Sequence, residues 1–308
     1  MRIVVRYRYI RRQLNILHHN ISTYYYSIAL FIAITGLLIV FLDAYKSHNI
    51  WGGWEAAFGN AYSFCELDRG PCSVRQPINT WSNLGFLIVG LISLTFGIND
   101  FRRRKINTQS LIVKYPAFSI MMGISCIYVF FGSFFYHASL TYFFQKMDIT
   151  GIYALMISIL AYNTYVLFPK YKFKAKERDS HHVIIPAAIL IFLLFYFYVW
   201  KLNINYLFPL IVFITFVLKY MIIRSGAHAK AFLRYLGIGL VSIVLAGAMW
   251  ILDFTDLLCS PYSVLQGHAV WHILCAISAL FIYFYYRSDL SIQLVTPLES
   301  SDKRTEEH

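Results

Sequence analysis

Ser133 with His137, then Asp148, then His268 with His272 carry hydroxyl, carboxylate and imidazole groups inside apolar runs of membrane-spanning length, all near the same end of those runs. Hydrocarbon solvates such groups poorly, so their presence there points to function. His268 and His272 lie one helical turn apart on one face, which lets both rings reach a single metal. Ser133 and His137 repeat that spacing in an earlier run, and Asp148 opens the next run across a short connection. Three His with a fourth position left open make the donor set of a catalytic zinc ion. Each residue alone has a plainer reading. A single membrane His commonly packs and hydrogen-bonds, Asp148 suits a helix N-cap, and Ser133 after Gly132 suits a small-residue helix contact. Five such residues at one depth are hard to explain as packing.

The elements that must position them are membrane helices. The 308 residues are 58% hydrophobic and 14% charged, with a mean hydropathy of +0.57, outside the usual range of a soluble domain. Apolar runs of suitable length fall at 25–43, 80–98, 116–138, 147–168, 183–200, 205–223, 233–254 and 265–286. The first is long for a signal-peptide core and runs into Asp43-Ala44-Tyr45-Lys46 with no small-residue cleavage site, so it counts as a helix. The expected fold is an all-α polytopic bundle of eight helices. A basic arm at 1–24 precedes the first helix at 25–43. The main membrane domain covers 44–286, with a loop at 44–79 and seven helices over 80–286, and a polar tail covers 287–308.

Short cytoplasmic loops carry the excess of Lys and Arg. Arg2, Arg6, Arg8, Arg11 and Arg12 lie in the arm, Arg102 to Lys105 and Lys114 follow the second run, and Lys170 to Arg178 follow the fourth. Arg224, Lys230 and Arg234, then Arg287, Lys303 and Arg304, fall on the same side, against Lys46, Arg69, Arg75, Lys146 and Lys201 on the other. Both termini are therefore expected in the cytoplasm and the three His toward the opposite face. The net charge of +12 follows from this topology and is spread over separate loops, so no nucleic-acid partner is expected. The compact chain and the absence of a retrieval signal favour a bacterial inner membrane over the ER or Golgi.

Gly132-Ser133-Phe134-Phe135-Tyr136-His137, Asp148 eleven residues after that His, and His268-Ala269-Val270-Trp271-His272 resemble the three signatures of the alkaline ceramidase superfamily, which also contains progestin and adiponectin receptors. The resemblance covers about 60–286 and seven helices, leaving the helix at 25–43 as an addition. Cys65-Glu66, then Pro77-Ile78-Asn79-Thr80-Trp81-Ser82-Asn83, and Trp250 to Asp253 with Cys259, look like the ceramidase branch in particular. The resemblance implies zinc held by His137, His268 and His272, proton transfer by Asp148, and a hydrogen bond from Ser133 to the oxyanion or the zinc water. The implied reaction is attack of a zinc-bound water on the amide of ceramide, giving a fatty acid and a long-chain base. The alternatives are a zinc-containing receptor of the progestin and adiponectin type, or a hydrolase of another acyl lipid.

The same resemblance implies a calcium loop, with Glu66, Asp68, the carbonyl of Phe64 and Gln76 as its oxygens. Ser63 stands where an Asp is usual and Gln76 where a Glu is usual, so the site is short of charge for Ca2+, and a purely structural loop is the other reading. Cys65 and Cys259 both fall outside the membrane on the non-cytoplasmic side, and the resemblance supports a disulfide between them, with Cys72 as a competing partner.

The topology has a direct test. After gentle reduction, a membrane-impermeant thiol reagent applied to intact cells is expected to label Cys65 and Cys259 but not a cysteine placed at Lys174. Labelling at 174 alone inverts the arrangement.

Overall fold

A computed structural model describes residues 21–57, 64–103, 110–173, 176–202, 204–224 and 233–288. Eight helices in it are long and apolar enough to cross a membrane: α1 Ile21–Ala44, α2 Pro77–Arg102, α3 Ala117–Ser139, α4 Tyr142–Leu167, α5 His181–Val199, α6 Tyr206–Arg224, α7 Leu233–Phe254 and α8 Gly267–Ser288. The basic arm and most of the polar tail lie outside the described residues, as do Ser63, Lys105, Lys174 and Lys230. The loop between α4 and α5 carries a small antiparallel hairpin, β1 Lys170–Phe173 and β2 Lys176–Asp179.

The centre of the bundle is made by α2, α3, α4 and α8, whose facing sides bury Leu87, Phe96, Phe130, Phe134, Tyr153 and Tyr283. The additional helix α1 docks on α2 through small polar groups. Ser27 Oγ lies 2.6 Å from Thr95 Oγ1, and Asn99 Nδ2 donates to Thr23 Oγ1 at 3.1 Å. Lipid tails are as apolar as Leu, so contacts of this kind, with close packing such as Tyr24 on Phe96, associate helices in a bilayer. The rest of α1 presents Leu37, Val40 and Phe41 outward.

The other helices pack unevenly. α5 and α6 lean on α4 and α7 leans on α8, while α6 and α7 scarcely touch among the described residues. That gap leaves a long cavity between the central helices and this outer group.

At the end of the bundle near the basic loops, a polar network joins three helices. Arg287 Nη1 donates to Asp100 Oδ2 at 2.7 Å and to Tyr283 OH at 3.3 Å, and Tyr283 OH lies 2.6 Å from Ser119 Oγ. The Arg287 guanidinium also lies over the Phe96 ring. Arg287, expected as the first residue of the polar tail at 287–308, lies within α8, which runs to Ser288, and both charges of the pair are buried. An ion pair removed from water is costly to break from one side, because the remaining charge has no partner.

Asp100→Ala is therefore expected to destabilise the protein by about 3–5 kcal/mol, seen as a lower melting temperature in detergent. The double variant Asp100→Leu with Arg287→Met, which removes both charges, is expected to recover most of the loss.

Candidate metal centre and active site

The turn between α3 and α4 is two residues long, and it sets the site. Leu140 ends α3 in the left-handed region, φ 50° and ψ 42°, a conformation costing about 1–2 kcal/mol for a residue with a Cβ. Its side chain is fully buried, and that burial offsets the strain. The two helices then run back to back at close range. A Cβ on Gly132 would come within 2.6–2.7 Å of the backbone of Met147 and Asp148, so only glycine lets the backbones approach this far. Gly132 is the small contact residue here, and Ser133 beside it faces the site. α4 starts at Tyr142 with Thr141 as its N-cap. Asp148 therefore sits well inside α4, and the expectation that it opens the helix as a cap is not met.

His137 comes from the last turn of α3, and His268 and His272 from the first turns of α8. All three are buried. One nitrogen from each lies within 4.8 Å of the others, the only such group of His, Cys, Asp or Glu among the described residues. His137 Nδ1 lies 2.8 Å from Gln76 Oε1. An amide oxygen only accepts, so Nδ1 carries the proton and Nε2 keeps its lone pair. His272 Nδ1 lies 2.8 Å from Ser82 Oγ, which itself donates to the Asn79 carbonyl at 2.8 Å. Ser82 therefore accepts from Nδ1, again leaving Nε2 as the donor atom. Hydrogen bonds of this kind orient metal-ligating imidazoles.

His137 Nε2 and His268 Nδ1 are buried ring nitrogens without a hydrogen-bond partner. Such orphaned groups are costly in an apolar interior, and a shared cation would satisfy those that carry a lone pair. The donor set therefore fits a divalent metal of the zinc type.

Ser133 Oγ lies 3.4 Å from His272 Nε2, and Ser133 and Asp148 line the cavity beside it. The five residues picked out by spacing thus converge at one place. Asp253 of α7 supports them from behind. It accepts the N–H of His268 at 3.1 Å and that of Cys65 at 3.3 Å, which caps the start of α8. A Cβ on Gly267 would meet Asp253 Cβ at 2.9 Å, so this cap depends on glycine at that position.

The loop before α2 closes the outer end. Cys65 and Cys259 are joined by a disulfide, and the Phe64 ring lies on His268 with centroids 4.0 Å apart. Three of the four residues matched earlier to a calcium loop have protein partners for their side-chain oxygens. Glu66 accepts the N–H groups of Ile78 and Asn79, both at 2.7 Å, and so caps α2. Burial pushes its carboxyl above the ordinary value against those two bonds. Asp68 is gripped by the Arg75 guanidinium from Nε, at 2.8 Å, and from Nη2. Burial pushes the Asp68 carboxyl up, but Arg75 and the Gly70 N–H outweigh it and hold it below the ordinary range. Gln76 bridges the Glu66 carbonyl at 3.2 Å and His137. Arg75 thus brings a positive charge against one of these carboxylates.

Below the histidines a cavity of about 700 Å³ runs along the bundle, bordered by Ser133, Asp148, His268 and His272 at one end. Phe216, Ile251 and Phe254 both line it and are exposed, so it opens sideways where α6 and α7 separate. Sequence spacing located the five central residues. It missed the Gln76 and Ser82 partners of the histidines, the Asp253 cap and the Phe64 ring, although all but Asp253 lie in or beside the Cys65 to Asn83 stretch already singled out.

A helical membrane bundle with three buried histidines that could share a metal, and a serine and a carboxylate beside them at the head of a long apolar cavity, defines an integral membrane protein with a candidate metal site. The pattern of the ceramidase family matches residues 63–300, and the chain belongs to that family. No curated protein sequence matches it.

Replacing His137, His268 or His272 by Ala is expected to abolish stoichiometric metal in the purified protein, whereas His48→Ala, at an exposed loop position, is expected to leave it intact. Elemental analysis of the detergent-purified variants decides this.

Proposed function

We propose that the protein hydrolyses the amide of an N-acyl sphingoid base within the membrane, releasing a free fatty acid and a long-chain amine. The observation that carries this reading is the meeting of three histidine nitrogens, the Ser133 hydroxyl and the Asp148 carboxylate at the head of a long apolar cavity open to the side. A water-soluble substrate has no need of such a route, whereas a lipid reaches it directly from the bilayer.

His137, His268 and His272 would hold zinc, which supplies Lewis acidity and lowers the pKa of bound water toward about 7. The protein's own groups divide the remaining work. Asp148 takes a proton from the attacking water as its oxygen bonds to the carbonyl carbon, then passes it to the nitrogen as the C–N bond breaks. Ser133 donates to the carbonyl oxygen as negative charge develops there. Gln76 and Ser82 hold the rings of His137 and His272 in the tautomer that keeps Nε2 free. The loop bearing Phe64 excludes bulk water from the outer end, which strengthens these interactions. The Lys and Arg distribution supports termini in the cytoplasm and a site toward the opposite face.

Asp148→Asn keeps size and hydrogen bonding but removes the proton acceptor. Fatty-acid release from ceramide is expected to fall by about 10²-fold or more while metal content stays at the wild-type level. Release from phospholipid esters but not from ceramides would move the reaction to another acyl lipid. A metal-loaded wild type that releases no fatty acid from either would favour the receptor reading.

A further inference from the structure

The far end of the cavity is polar, and the hydrolysis chemistry makes no use of it. Asn163 of α4, Lys219 of α6 and Tyr286 of α8 line the cavity there, and each is at least nine-tenths buried. Tyr286 OH donates to Asn163 Oδ1 at 3.2 Å. Lys219 Nζ lies 4.1 Å from the centre of the Tyr285 ring and 5.6 Å from that of Tyr286. An ammonium group within a membrane helix is held this way because cation–π contact replaces part of its lost hydration. Two other polar residues on the wall are spent on backbone: Thr215 Oγ1 donates to the Ile211 carbonyl and Ser278 Oγ to that of Gly239. Between the two ends the wall is apolar, with Ile152, Met156, Ile159, Val212, Ile243 and Ala279 among its residues.

We infer that Lys219, with Asn163 and Tyr286, is the floor of an acyl-chain gauge that sets the longest chain the site accepts. This rests on the acyl-lipid hydrolase reading above. A methylene that fits against the apolar wall strengthens binding by about 4-fold. One that reaches the floor meets an ammonium and an amide already satisfied by their neighbours, and displacing those contacts leaves buried polar groups unpaired. Affinity therefore stops rising at the floor.

The depth follows from the helices. Asp148 and Asn163 are fifteen residues apart on α4, a rise of about 22 Å. His272 and Tyr286 are fourteen apart on α8, about 21 Å. An all-trans chain advances roughly 1.25 Å per carbon for C–C bonds near 1.52 Å, so the gauge accommodates about 16–18 carbons.

The test uses purified full-length protein, N-acyl sphingoid bases with acyl chains of graded length, and the matching free fatty acids, whose binding is read by displacement of a fluorescent fatty acid. For the wild type, kcat/KM and fatty-acid affinity are expected to rise with each methylene and break at about 16–18 carbons. Lys219→Leu, and independently Asn163→Leu, are expected to move the break to longer chains while rates on shorter chains stay within about 2-fold. Lys219→Arg is expected to keep the break in place. Metal content at the wild-type level identifies correctly folded variants. Hydrolysis by both leucine variants with an unmoved break overturns the gauge. A binding break that moves with Lys219→Leu in a protein that hydrolyses nothing supports the gauge and overturns the hydrolase reading instead.

Discussion

The hydrocarbon of a bilayer offers no hydrogen-bond partner, so every polar group carried into it must bring its own. Three buried imidazoles at one level are the most demanding case in this chain, and much of the surrounding structure answers their needs. Gln76 and Ser82 take two ring protons, Asp253 takes the backbone N–H of His268, and Glu66 caps the helix that carries Gln76 and Ser82 into place. What these partners leave over is the free Nε2 of His137 and of His272 beside the His268 ring, a group that could hold a metal. The Asp100 and Arg287 pair at the other end obeys the same rule with opposite charges and no ligand.

Close helix approach makes such satisfaction geometrically feasible. The two-residue turn at Leu140 and Thr141, with glycine at 132, presses α3 onto α4 and brings Ser133 and Asp148 to the wall of one cavity. The helices that do not press together are equally informative. Among the described residues α6 and α7 stay apart, and their separation leaves the cavity open to the side. Tight packing on one side of the site and loose packing on the other thus serve different ends, positioning and access.

The eight spans and the five central residues were legible in the sequence because each signal is local. A membrane helix is a run of apolar residues, and residues four apart share a helix face whatever the rest of the chain does. The roles of Gln76, Asp68 and Arg287 were not legible, because each depends on which distant residue comes opposite. Resemblance suggested a cation for the loop at Glu66 and Asp68, but Arg75 seven residues on carries the charge that Asp68 meets. The start of α4 was placed five residues late because Gln145 and Lys146 interrupt the apolar run, although both continue the helix readily.

The disulfide joins residues 194 positions apart, and His137 lies 131 positions before His268. During synthesis the α3 and α4 hairpin, with Ser133, His137 and Asp148, enters the membrane long before α8 emerges. A nascent or truncated chain therefore holds one imidazole of the three and lacks the cysteine that fastens the outer loop. The three-histidine group is completed as a single late event, when the last helix is inserted. A metal that needs all three imidazoles therefore finds its full donor set only when assembly is finished.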